Sequence, residues 1–370
     1  MGRTFDNPAD SFFRAARDPK TASEASAQLF MGLRLVCAQC HDHPFEKWTQ
    51  AQYYQMAAFF SAVEIRPGFR SGEEVVYEKR YENEVRHLRD GRVVNARFLV
   101  ETPDDPAVPE NGNARTAFAK WLTSPANPFF ARAIANRVWS YFLSRGIIDP
   151  VDDIRASNPP VNKPLLDALT KDFVEHGFDL QHLTRTIVSS RTYQAAFQTN
   201  SWNEDDHINF SHQTPQRLGA EQLADAISSA TGSIFEFPEV QGDFRAVQLP
   251  DPHTGMDGFL DLFGRPQRED PCECERKSEM SLPQAMNLVN GPTLADAVAD
   301  PEGRIARLIL SGTDDREIVE ELYVATLGRP PSTSESRLAL AHLDGAASRA
   351  TAAQDLLWAL LNSNGFLFNQ

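Results

Sequence analysis

Apolar residues recur at helical spacing along most of the chain. Ala25, Leu29, Leu33 and Val36 fall on one face of a helix expected over 21–36, opened by the Thr21-x-x-Glu24 capping pattern. That helix would deliver Cys37 at its end. Thr49-x-x-Gln52 opens a second helix, whose stripe is Tyr53, Met56, Ala57 and Phe60. The pattern then changes. Val75-Val76-Tyr77, Val93-Val94 and Phe98-Leu99-Val100 read as short strands, with Asp90-Gly91 as a hairpin turn. Residues 101–112 are rich in Pro, Asp, Asn and Gly and read as a linker. From 113 onward helices return. One covers 113–122. The next is capped by Asn127, has Pro128 in its first turn, closes at Gly146 and carries Phe130, Ile134, Val138 and Phe142 on its apolar face. Others are expected near 163–176, 180–190, 216–230, 314–327, with Ile318 and Leu322 inward, and 350–362. Another starts at Ser281-x-x-Gln284 and ends at Gly291-Pro292. The fold class is therefore mainly α: a multi-helix protein with a small β-hairpin insertion around 63–105 and a long irregular loop around 232–278. Two domains are expected, 1–105 and 113–370. Loops as long as 232–278 are usually functional or disordered.

Composition narrows the partners. The 370 residues carry a net charge of −15, which repels phosphate backbones and argues against nucleic acid as a partner. No apolar run reaches membrane-spanning length, and the segment from Met1 to Pro8 has no apolar signal core. Taken literally, the chain stays in the cytoplasm. Walker, GxGxxG, GxSxG and HExxH patterns are missing.

The chemistry concentrates in Val36-Cys37-Ala38-Gln39-Cys40-His41-Asp42-His43-Pro44. Cys37-x-x-Cys40-His41 has the spacing of c-type haem attachment: two thiols reach the two vinyl groups as thioethers, and the adjacent imidazole becomes the proximal iron ligand. Three other readings stay open. The pair could be a redox dithiol, although no βαβ pattern surrounds it, or a plain disulfide. It could also join a zinc site with His41, His43 or the second pair, Cys272-Glu273-Cys274. Haem is normally attached outside the cytoplasm, which conflicts with the absence of a signal core. His43 cannot cross the porphyrin plane, so a distal ligand would come from Met280, His253 or Met56. The Met56 stripe reads as core, with a haem-contacting wall as the sharper reading. His87 reads as solvated, His176 as a structural histidine at a helix end, and Glu204-Asp205-Asp206-His207 as a solvated loop. A hydrolase reading would rest on Asp152, Asp153, Arg155 and Asn136 sharing a cleft.

Longer stretches carry a resemblance. The run from Phe30 to Phe45, followed by Tyr53-Tyr54 and Ala57-Ala58-Phe59-Phe60, resembles the end of a planctomycete cytochrome-like domain, the domain of unknown function 1549. Its usual companion, domain 1553, is resembled by Trp121-Leu122-Thr123, Asn136-Arg137-Val138-Trp139, Arg145-Gly146-Ile147 and Asp152-Asp153-Ile154-Arg155. Further matches are Ser157-Asn158-Pro159-Pro160, Ser190-Arg191-Thr192-Tyr193, Cys272-Glu273-Cys274-Glu275-Arg276 and the run from Leu322 to Pro330. The resemblance implies an exported, periplasmic protein, often with a cytochrome c segment upstream. It supplies no activity. The chain lacks the first part of the 1549-type domain and an export signal, so it looks like a shortened piece. The function expected is that of a cytochrome-like exported protein with covalent haem c at Cys37, Cys40 and His41 and a redox partner protein. The alternative is a non-catalytic binding or scaffold protein stapled by zinc or disulfide at the two cysteine pairs.

Overall fold

Asp18, not Thr21, starts the first long helix. Its carboxylate accepts from the backbone of Lys20 (3.0 Å) and Thr21 (3.2 Å), and Pro19 occupies the first turn, where a missing N–H costs nothing. The Thr21 hydroxyl also donates to the Asp18 carboxylate. This computed structural model describes residues 2–4, 6–70, 72–79, 84–109, 113–235, 237, 244–249, 258–266 and 281–369. The chain is mainly α, as its patterning predicts. Its described residues fall into two compact units, 2–214 and 215–369.

In the first unit, helix Pro19–Ser26 continues through a π turn, Ala27–Met31. It stops at Gly32, whose φ of +66° reverses the chain. The helix therefore ends at Met31, five residues before the expected 36, and Cys37 sits instead in a separate 3₁₀ turn, Val36–Gln39. Helix Gln50–Ala57 starts at the expected Thr49–Gln52 capping box. Tyr53, Met56, Ala57 and Phe60 are all buried, so the stripe is core.

Strand Glu74–Glu78 lies between Gly2–Arg3 and Val63–Pro67, antiparallel to both, and Glu84–Arg86 pairs with Val93–Asn95 across the Gly91 turn. Phe98-Leu99-Val100 is not a strand. Phe98 stacks on Phe59 and on Trp121, with ring centroids 5.1 Å apart in each case. One aromatic core thus runs through residues on both sides of 101–112. The linker-like composition of that segment does not part the two compact units, whose boundary follows Thr214, because burying the Phe98 and Trp121 rings outweighs local chain composition. His87 is likewise buried rather than solvated, its ring 5.0 Å from that of Tyr54 and its Nδ1 3.1 Å from Asp90 Oδ1.

The remainder of this unit packs helices Phe130–Leu143, Lys163–Glu175 and Leu180–Val188 around a second core. Asn127 caps the first of these by accepting from Phe129 (2.9 Å) and Phe130 (3.1 Å). That helix ends at Ser144, with φ +66°, rather than at Gly146. Ala131, Ala135, Trp139 and Leu143 are the positions it buries in this core, while Ile134, Val138 and Phe142 are only partly covered, because the small alanines let the neighbouring helix approach closely.

The second unit gathers helices Ala220–Thr231, Leu282–Asn290, Pro292–Ala299, Arg304–Leu310, Asp315–Leu327, Thr333–Asp344 and Arg349–Leu361 on a core that includes Ile227, Ile318, Leu322 and Leu357. The described parts of 232–278 are not mere loop. Phe237, Leu249, Phe259 and Phe263 are buried in that same core. Among the described residues no helix is long and apolar enough to cross a membrane.

Candidate functional site around Cys37, Cys40 and His41

Cys37 and Cys40 are free, exposed thiols on the 3₁₀ turn that follows Leu35. Cys40 is the residue that closes the turn, three positions after Cys37. Helix Gln50–Ala57 pins the turn. The Gln50 side chain donates to Gln39 O (2.8 Å), and the Tyr54 hydroxyl donates to the same oxygen (3.2 Å). Burial pushes the Tyr54 phenol up, which keeps it a donor. Asp42 accepts from Gln50 N (2.8 Å), placing a carboxylate where the helix N-terminus favours negative charge. His43 N donates to Trp48 O (2.8 Å), closing the loop.

The two histidines of the motif are in opposite states. His41 is exposed, and its Nδ1 lies 2.7 Å from Asp42 O. A carbonyl only accepts, so Nδ1 carries the proton and the lone pair is on Nε2. An imidazole whose Nδ1–H is held by a backbone carbonyl has the arrangement of a metal-binding histidine. His43 is the reverse: its Nδ1 accepts from Phe45 N (3.2 Å) and Glu46 N (3.0 Å). Its proton is on Nε2, which therefore has no lone pair to give. His43 braces the loop through these two bonds.

An open groove of about 610 Å³ begins three residues beyond His41. Leu33, Pro44, Phe45, Trp48, Phe129 and Ile154 supply its apolar lining, while Cys37, Cys40 and His41 lie outside that lining. The thiol pair and the His41 tautomer fit a covalently attached haem. Met56 does not serve it as a distal ligand, because the side chain is fully buried in the aromatic core. His253, Met280, Cys272 and Cys274, the remaining candidates for a distal ligand or a zinc staple, lie outside the described residues.

The four residues of the hydrolase reading do not share a cleft. Asn136 is fully buried and clamps Ile148, donating to its carbonyl and accepting from its N–H, each at 2.8 Å. Asp152 is buried against Arg34 and Gln28, and Asp153 pairs with Arg155 at 3.1 Å. Of the four, Arg155 alone lines the groove. The residues that sequence reasoning missed are Gln50 and Tyr54. The capping box announces the helix start, but nothing local tells which carbonyl those side chains reach.

The model of a family described as Protein of unknown function (DUF1553) matches residues 114–343, well over half of the chain. A second model, Protein of unknown function (DUF1549), matches residues 4–65, the segment that contains the cysteine turn. No curated protein and no solved structure matches the chain.

Proposed function

The chain belongs to the DUF1553 family and carries the DUF1549 segment that accompanies it, and from that membership we propose that the Cys37–His41 turn is a haem c attachment site in an exported, cytochrome-like redox protein. Cys37 and Cys40 would hold the haem through their thiols and His41 would offer Nε2 to its iron. Gln50, Tyr54 and Asp42 hold the turn on the helix while this happens. When bound, the haem supplies one-electron exchange. The groove draws apolar surface from Pro44, Phe45 and Trp48, in the segment that follows the turn in sequence. A net charge of −15 suits a redox partner with a basic face. The observation that carries this reading is the His41 ring, with Nδ1–H bound to Asp42 O and Nε2 left free at the surface.

Two exposed thiols at C-x-x-C spacing are also half the donor set of a structural zinc site, which would be completed by Cys272 and Cys274 in a scaffold protein. One experiment separates the readings. The chain is produced behind an export signal in a host that matures c-type cytochromes. Haem c attachment gives a Soret band and haem that stays with the polypeptide after denaturation, and Cys37→Ser with Cys40→Ser abolishes both. A colourless protein holding one zinc per chain selects the staple. A colourless, zinc-free protein with free thiols removes both readings.

A further inference from the structure

Asp172, His176 and His182 meet where two helices of the first unit turn back on each other. Asp172 stands in the last turn of Lys163–Glu175, and His176 ends that helix. Gly177 and Phe178, with φ of +65° and +62°, reverse the chain. Asp179 then caps Leu180–Val188 by accepting from Gln181 N (2.8 Å) and His182 N (3.1 Å). The reversal lays the His182 ring on that of His176, with centroids 3.7 Å apart and planes 15° from parallel. His182 Nε2 is 2.8 Å from Asp172 Oδ2, and His176 Nδ1 is 3.3 Å from Asp172 Oδ1. One ligand atom from each residue lies within 4.8 Å of the other two.

We propose that this cluster is a binding site for a divalent transition-metal cation of the zinc class, distinct from the cysteine turn. A helix C-terminus is served by one histidine, and the second ring is not needed for that purpose. Two imidazole nitrogens and a carboxylate oxygen are a recurrent zinc donor set, with water as the fourth ligand. Tetrahedral zinc at ~2.0–2.2 Å from its ligands sets them roughly 3.3–3.5 Å apart. The observed 3.3 Å separation matches that spacing, and the 2.8 Å hydrogen-bond separation must widen to admit a metal. On binding, His182 exchanges its Nε2–H···Oδ2 bond for the metal and keeps a proton on Nδ1, whereas His176 Nδ1, now 2.9 Å from the Asp172 backbone carbonyl, must leave that carbonyl for the ring to bind. The side chains are 29% to 48% exposed, so an ion enters without unfolding.

The test is calorimetric titration of the full, tag-free chain with Zn²⁺, in a version whose four cysteines are serine so that no thiolate competes. One Zn²⁺ per chain is expected, and His176→Ala or His182→Ala should weaken binding by roughly a hundredfold or more. Co²⁺ in place of Zn²⁺ should give a visible spectrum of nitrogen and oxygen ligation that the histidine variants lose. Their circular dichroism should match the parent, and His176→Gln replaces His176→Ala if it does not. No binding by the cysteine-free chain, or undiminished binding in both histidine variants, overturns the proposal.

Discussion

Arg34 Nη2 lies 2.6 Å from Asp152 Oδ1, and the Gln28 side chain donates to the other carboxylate oxygen. Arg34 belongs to the segment matched by DUF1549 and Asp152 to the one matched by DUF1553. The two family segments therefore share a buried carboxylate inside one compact unit. Burial alone would push the Asp152 carboxyl up, but the Gln28 and Arg34 hydrogen bonds and the Arg34 charge outweigh it, and the net direction is down.

Asp152→Asn keeps the volume and removes the charge. It should cost about 2–3 kcal/mol near neutral pH, less than a fully buried broken pair because water screens the half-exposed Arg34. The sign with pH follows from the lowered folded-state value. The contribution is complete above the ordinary aspartate value of 3.8 and is lost as pH falls below it toward the folded value. Urea unfolding of both proteins should show the gap narrowing under acid. A gap that stays constant to low pH would mean that the charge is not what holds these segments.

Gly32 has φ +66°, and a Cβ there would meet Ile154 Cδ1 at 2.6 Å. Gly177 has nearly the same φ, +65°, with nothing described within 4 Å of that position. Gly177→Ala should cost only the backbone term, about 1–2 kcal/mol. Gly32→Ala should cost about 1–2 kcal/mol more, since Ile154 must also move. Equal melting-temperature losses would show that the Ile154 contact is soft.

Much of the helical architecture is legible in the sequence because its signals are local. The Thr49–Gln52 box, the Asn127 cap and the Asp90-Gly91 turn are each set by residues two to four positions apart. What escaped depends on distant partners. Phe98 reads as a strand residue until Phe59 and Trp121 are seen to sandwich it, and His87 reads as solvated until Tyr54 covers it. The candidate site divides in the same way. Its candidate ligands are written in Cys37-x-x-Cys40-His41, but the opposite hydrogen bonding of His41 and His43 comes from how the chain turns at Asp42 and folds back over 44–48. Asp172 and His176 are an i,i+4 pair that a helix predicts, whereas His182 joins them only through the reversal at Gly177 and Phe178.

In the second unit, Glu335 receives two hydrogen bonds from the Arg329 guanidinium (2.8 and 2.9 Å) and one from Ser332 N (2.7 Å). The Arg329 bonds first, then Ser332, pull its carboxyl down to about 2. A depressed folded value means that the stabilisation is complete above the ordinary glutamate value of 4.5 and fades as pH falls from there toward 2. Arg329→Gln should raise the Glu335 midpoint toward the ordinary value, as read by side-chain NMR titration. Its effect on stability near neutral pH should be under about 1 kcal/mol, because the pair is at the surface. A Glu335 midpoint unmoved by Arg329→Gln would assign the depression to the helix cap instead.

If His41 is the axial ligand and not a structural residue, attachment and ligation separate on mutation. His41→Ala leaves Cys37 and Cys40 on their 3₁₀ turn, and the Gln39 anchors to Gln50 and Tyr54 do not involve the ring. Haem should still be retained on the denatured polypeptide, though at lower yield. The Soret position and spin state should change, and added imidazole should restore them. His43→Ala acts differently. It removes the acceptor for Phe45 N and Glu46 N, so the loop over 43–48 loosens while the axial field at iron is kept. Its spectrum should match that of the parent while its melting temperature falls, for a cost of about 1–2 kcal/mol. A parent-like spectrum for His41→Ala together with an altered one for His43→Ala would exchange the two roles and reject the tautomer assignment on which the site is built.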